Sequence, residues 1–141
     1  MVEKTRPLSE VRILIVEDDA NNRFVLTKLL QVEGVLPEHI VALPGDPLAR
    51  LDSNNTVQFD LILLDLQMPH KNGFIILREL RADPRFANVP VIAVTANVMR
   101  TDVEKAKMAG FNGFLGKPIN GPRLGGRLRQ ILAGESIWSI S

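Results

Sequence analysis

Five short apolar runs, each followed by a longer stretch of helical period, constrain the fold of this chain more than anything else in its sequence. The runs fall at about residues 12–16, 39–43, 61–64, 91–94 and 113–115. Strands that alternate with helical segments build βαβ units, and hence a parallel sheet with helices on its faces. Leu61-Ile62-Leu63-Leu64 is apolar at every position, as a central strand covered on both faces must be. With 141 residues and 45% hydrophobic composition the chain fits one domain with a substantial core. The expected fold class is α/β, a three-layer sandwich with right-handed crossovers.

The helical segments take their limits from local signals. The first opens near Asn21-Asn22, residues that can cap a helix, carries Phe24, Val25, Leu29 and Leu30 as its inward stripe, and ends near Gly34. Pro44-Gly45-Asp46-Pro47 turns the chain into a second helix that starts at Pro47 and includes Leu48 and Leu51. The third covers residues 73–82 with Ile76, Leu77 and Leu80 inward, and the fourth covers residues 98–109, stopped by Gly110. The fifth covers residues 122–132 and buries Leu124, Leu128 and Ile131, although Gly125-Gly126 lowers its propensity. Residues 1–10 read as a flexible lead-in, 11–134 as the domain, and 135–141 as a tail. In that tail Trp138, with Ile137 and Ile140, either packs back or serves a partner.

Composition narrows the function classes. A net charge of +1 gives no field for tight non-specific binding to nucleic acid or an anionic membrane. Cysteine is absent, which excludes disulfides and thiolate metal sites. No apolar stretch approaches the roughly 20 residues that span a bilayer, and the N-terminus lacks the apolar core of a signal peptide. The expected location is the cytoplasm.

Chemistry concentrates where the runs end. Glu17-Asp18-Asp19 closes the first and Asp65 the third; Thr95-Ala96 follows the fourth and Lys117-Pro118 the fifth. In a parallel sheet these residues share the carboxyl edge, where open α/β sheets bind ligands. Carboxylates crowded there need a hard divalent cation, which points to Mg²⁺. A carboxylate nucleophile, a small hydroxyl, a fixed amine and a divalent metal are together what a phosphoryl group requires, with Asp65 as the attacking group.

Taken together, Ile13-Leu14-Ile15-Val16-Glu17-Asp18-Asp19, Leu64-Asp65-Leu66-Gln67-Met68-Pro69 with Gly73, Val94-Thr95-Ala96 and Lys117-Pro118-Ile119 resemble the receiver domain of two-component response regulators. The four blocks occur in the family's order over about residues 11–133. The resemblance implies five parallel strands in flavodoxin-like order 2-1-3-4-5, with Asp65 as phosphoacceptor and Mg²⁺ held by Asp18 and Asp65. It implies further metal contacts from the Gln67 backbone carbonyl and from Glu17 through a water. Thr95 is similar to the family's switch hydroxyl, assisted by the Ala96 backbone amide. Lys117 is similar to the phosphate-pairing lysine, and Phe114 stands where the family has a switch aromatic, more often tyrosine. The Lys117-Pro118 bond is often cis in such domains.

By the same resemblance, a histidine kinase or histidine phosphotransfer protein would supply the phosphoryl group, and an unidentified downstream protein would read it. A phosphorylation-dependent homodimer stays open. The motifs are most similar to hybrid-kinase and phosphorelay receivers, so a domain cut from a hybrid kinase or a longer regulator is the alternative context. A phosphatase working through an aspartyl phosphate would need a second Asp two residues after the nucleophile, and Gln67 stands there. The resemblance therefore implies a switch rather than a turnover enzyme. His39 and His70 read as solvated loop residues, Arg123, Arg127 and Arg129 as a solvated face, and Gln67 and Asn97 as neutral residues beside the site.

Overall fold

The computed structural model describes residues 7–51, 58–69, 71–96 and 100–138; expectations for His70, Asn97, Ile140 and the first six residues lie outside these. Five strands form one parallel sheet: β1 (Ile13–Val16), β2 (Ile40–Leu43), β3 (Leu61–Asp65), β4 (Val91–Thr95) and β5 (Gly113–Gly116). Their order is β2-β1-β3-β4-β5, as the resemblance implied. Between and after them run α1 (Ala20–Val32), α2 (Pro47–Arg50), α3 (Gly73–Ala82), α4 (Arg100–Ala109) and α5 (Gly121–Leu132). Every residue of β1, β3 and β4 is buried, consistent with a sheet covered on both faces.

Alternate residues of the central strands feed two cores. Ile13, Ile15, Leu61, Leu63, Ile92 and Val94 pack with Leu26 and Leu30 of α1 and with Leu124, Leu128 and Ile131 of α5. Leu14, Val16, Ile62, Leu64, Ala93 and Phe114 pack with Ile76, Leu77 and Leu80 of α3 and with Val103 and Ala106 of α4. Each large side chain buried this fully favours folding by about 1.5–3 kcal/mol. Burial thus fixes which residues end at the carboxyl edge, because a one-residue slip would exchange the two faces.

Several expectations need correction. Helix α1 begins one residue before Asn21, with Asp19 as its N-cap accepting from the Asn22 amide at 2.9 Å. An acid at the end of a strand can therefore also start the next helix. The inward stripe is Leu26, Leu29 and Leu30; Phe24 and Val25 stay 63% and 54% exposed. His39 lies in a 3-10 turn before β2 and is half-buried rather than solvated. Leu51 falls just past the one-turn α2. Strands β3, β4 and β5 each extend one residue further than expected, so Asp65 and Thr95 are themselves strand residues. Helix α4 is described from Arg100; the expected start at Val98 lies outside the described residues.

Ordered packing also reaches beyond residues 11–134. Leu8 is buried in a 3-10 turn over Leu8–Glu10 and joins the α1/α5 core. After α5 the chain returns to the sheet: Ile137 bridges Gly113 in parallel, and the Phe114 amide donates to its carbonyl at 2.7 Å. Of the two alternatives for this segment, packing back is the one observed. At the other end of the sheet, Arg81 of α3 donates to the carbonyls of Phe86 and Val89 and to Asn112 Oδ1. Asn112 Oδ1 also accepts the Val91 amide, so one polar cluster ties α3 to the entrances of β4 and β5.

Candidate functional site

The parallel register sets Val16, Leu64, Ala93 and Phe114 at matching heights along the sheet. Glu17, Asp65, Thr95 and Lys117 therefore leave their strands at one rim. Glu17, Asp65 and Thr95 are buried, an unusual placement for polar groups that requires specific partners.

Lys117 supplies the central contact. Its Nζ donates to Glu17 Oε1 at 2.6 Å and lies 3.4 Å from Asp65 Oδ2. Burial alone would lower the pKa of this ammonium, but the Glu17 hydrogen bond and the charges of Asp65 and Glu17 outweigh it, so Lys117 titrates above its ordinary range. It is a fixed positive charge at the rim. Its backbone amide donates to the Thr95 carbonyl at 2.8 Å, which fixes the end of β5 to the end of β4. The following peptide, Lys117–Pro118, is cis.

The carboxylates converge as the sequence implied. One oxygen from each of Glu17, Asp18 and Asp65 lies within 4.8 Å of the other two, close enough to share one cation. Asp18 is solvent-exposed, yet desolvation and the neighbouring Glu17 raise its pKa above the usual aspartate value. A proton and a cation therefore compete for Asp18. All three groups offer hard oxygen ligands, which suit Mg²⁺. Asp65 Oδ1 also accepts the Gln67 amide at 3.0 Å, so the loop after β3 folds back on the carboxylate. Glu17 Oε2 likewise accepts the Asp19 amide at 3.1 Å.

The other expected positions lie around this centre. Gln67 is exposed in the loop after Asp65 and Ala96 is exposed directly after β4. Thr95 is buried at the tip of β4, and Phe114 is fully buried, pointing into the core beneath α4.

Sequence reasoning misses Arg23. This α1 residue donates from Nη1 to the carbonyls of Glu17 at 2.8 Å and Asp18 at 2.9 Å, clamping the acidic turn from behind. Its position one turn into α1, after three acids, is the one signal that could have found it. Removing the clamp leaves two carbonyls short of a charged donor at the turn that presents two of the three carboxylates. Arg23→Ala is expected to weaken binding of a divalent cation at this cluster by roughly tenfold, as loss of a group that orients metal ligands does, with little loss of helix content. Calorimetric titration with Mg²⁺ checks the first effect and circular dichroism the second.

Comparison with known proteins agrees with this geometry. The sequence profile of the response regulator receiver domain matches residues 13–129. The chain is 34% identical over 111 residues to hybrid signal transduction histidine kinase L of Dictyostelium discoideum, covering 77% of this chain but only 6% of that protein. It is 35% identical over 111 residues to the polar-differentiation response regulator DivK of Brucella ovis, covering 79% of this chain and 87% of DivK. A crystal structure of the receiver domain of a sensor histidine kinase from Pseudomonas aeruginosa superposes with TM-score 0.71 at 32% identity, covering 89% of this chain and 98% of that one. That structure has a magnesium ion coordinated in its active-site cleft.

Proposed function

Because the chain belongs to the response regulator receiver family, a component of two-component and phosphorelay signalling, we propose that Asp65 is its phosphoacceptor and Mg²⁺ its cofactor. The observation that carries this reading is the meeting of Glu17, Asp18 and Asp65 carboxylates with the Lys117 ammonium at one rim.

The donor is a phosphohistidine on a histidine kinase or phosphotransfer protein. A carboxylate oxygen of Asp65 attacks phosphorus, the P–N bond breaks, and its electron pair stays on the imidazole nitrogen, which then takes a proton. Mg²⁺, when bound, neutralises the charge that builds on the phosphoryl oxygens. Asp18 and Asp65, the Gln67 carbonyl, and Glu17 through a water would hold it. Lys117 offers a second cation to the same oxygens, and Thr95 Oγ and the Ala96 amide offer uncharged donors. The hydrogen bond from the Gln67 amide holds the carboxylate of Asp65 in one orientation before attack.

The phosphorylated domain acts as a switch through protein contacts in the cytoplasm. Its only catalysis is of its own phosphorylation and hydrolysis, since Gln67 cannot serve as a general acid. Thr95 and Phe114, on neighbouring strands β4 and β5, carry the change from the rim toward α4 and α5. The same domain inside a hybrid kinase would perform the same step; the fragmentary cover of such kinases leaves that context as the second reading.

Incubation with acetyl phosphate and Mg²⁺ tests the proposal. A mass gain of one phosphoryl group that disappears with excess EDTA and maps to Asp65 is the expected result. An equal gain in EDTA would reject the metal, and mapping to another residue would reject the acceptor.

A further inference from the structure

The segment after α5 returns to the sheet as an extended stretch held by a single parallel bridge. Ile137 pairs in parallel with Gly113 on the edge of β5 that faces away from β4. Ile137 enters the core with Leu124 and Ile131, whereas Trp138 packs into the opposite core with Phe114 and Val103. Consecutive side chains on opposite faces are the signature of an extended strand. Lys107 of α4 lies 5.3 Å from the centre of the Trp138 ring, which ties the segment to that helix. Gly113 is what admits it: a Cβ there would stand 3.1 Å from the Ile137 carbonyl oxygen and 3.0 Å from Ile131 Cδ1. A groove of about 550 Å³, lined by Arg123, Arg127, Gln130 and Trp138, runs between the segment and α5.

We propose that Ser136–Trp138 is an intramolecular latch that occupies the outer edge of β5 and is released when Asp65 is loaded. The proposal rests on the phosphoacceptor reading above. Strand β5 lies between β4 and the latch, and both ends of the coupling act on it. On one side the Phe114 amide holds the Ile137 carbonyl. On the other, Lys117 reaches across the rim past β4 toward Asp65 at the end of β3 and Glu17 just after β1. A phosphoryl group on Asp65 adds charge and acceptor oxygens there, so it draws Lys117 and the end of β5 toward the rim and away from Ile137. The latched and open edges are then two states whose balance depends on the charge at Asp65. Reciprocity follows: whatever loosens the latch must favour loading by the same factor.

Trp138 is the only tryptophan, so the full chain carries its own reporter. Beryllium fluoride with Mg²⁺ serves as the phosphoryl analogue, and ¹⁹F resonances establish whether Asp65 is loaded. Loading is expected to shift Trp138 emission to the red and to speed hydrogen exchange of the Phe114 amide by about fivefold or more. Trp138→Ala, or Lys107→Ala if the first variant folds poorly, is expected to bind the analogue about fivefold more tightly than wild type. Loaded protein with unchanged emission and unchanged Phe114 exchange overturns the latch and leaves the phosphoacceptor reading intact. Absence of the ¹⁹F signals overturns both.

Discussion

Protein carrying Asp65→Asn is expected to stay folded and to gain no phosphoryl group from acetyl phosphate at any Mg²⁺ concentration. The substitution keeps shape but removes the nucleophile together with its charge, including the 3.4 Å ion pair with Lys117. An asparagine oxygen can still accept the Gln67 amide that Asp65 Oδ1 accepts at 3.0 Å, and Lys117 keeps its 2.6 Å partner Glu17. What changes is charge. Three carboxylates face one ammonium at the rim, an excess of negative charge that the substitution reduces by one. Without Mg²⁺ the variant should therefore melt no lower than wild type, because a like-charge repulsion has gone. With Mg²⁺ the order should reverse. A cation at a hundred times its dissociation constant stabilises the fold that binds it by about 2.7 kcal/mol, and a site lacking one of its carboxylates gains much less. The checks are intact-mass spectrometry for uptake and thermal melts with and without Mg²⁺. A phosphoryl gain that survives Asp65→Asn would move the acceptor elsewhere; an identical Mg²⁺ response in both proteins would remove Asp65 from the metal site.

The parts of this arrangement that are legible in sequence are those written as local pattern. Apolar runs ending in acids, a hydroxyl or a lysine mark the strands, and the parallel pairing that follows from βαβ alternation brings their ends together. Boundaries move by a residue where a polar group is itself part of a strand, as with Asp65 and Thr95. The inward face of α1 is easily misread because Val25 shares a helical period with Leu29 and Phe24 stands next to it; hydrophobicity alone cannot choose between adjacent stripes. Arg23 escapes notice because its acceptors are main-chain carbonyls, which have no sequence identity. The bridge from Ile137 to Gly113 is only half legible. Two residues, Ile137 and Trp138, are too few to show alternation, and their partner surface exists only once β5, α4 and α5 have assembled.

Gly73 gives a sharper test of how that assembly supports the chemistry. It is the first residue of α3, its amide donates to the Leu66 carbonyl at 3.0 Å, and a Cβ on it would lie 2.7 Å from the Asp65 carbonyl oxygen and 2.9 Å from Leu66 Cα. Those neighbours are main chain and cannot swing aside, so relief requires α3 or the loop after β3 to move. Replacing a helical glycine by alanine normally gains up to about 1 kcal/mol, whereas forcing atoms into a packed contact costs about 1–3 kcal/mol. Gly73→Ala is therefore expected to be net destabilising by roughly 1–2 kcal/mol. Because the displaced loop carries Gln67 and adjoins Asp65, phosphoryl uptake should also slow, by about a hundredfold if the carboxylate moves by the order of 1 Å. Gly126 supplies the control. It sits in α5, and a Cβ added there would meet nothing within 4 Å, so Gly126→Ala should raise stability by about 1 kcal/mol and leave uptake unchanged. Denaturant melts and uptake rates of the two variants separate helix propensity from close packing against the acceptor strand. If Gly73→Ala behaved like Gly126→Ala, the contact between α3 and the main chain of Asp65 would not be what positions the site.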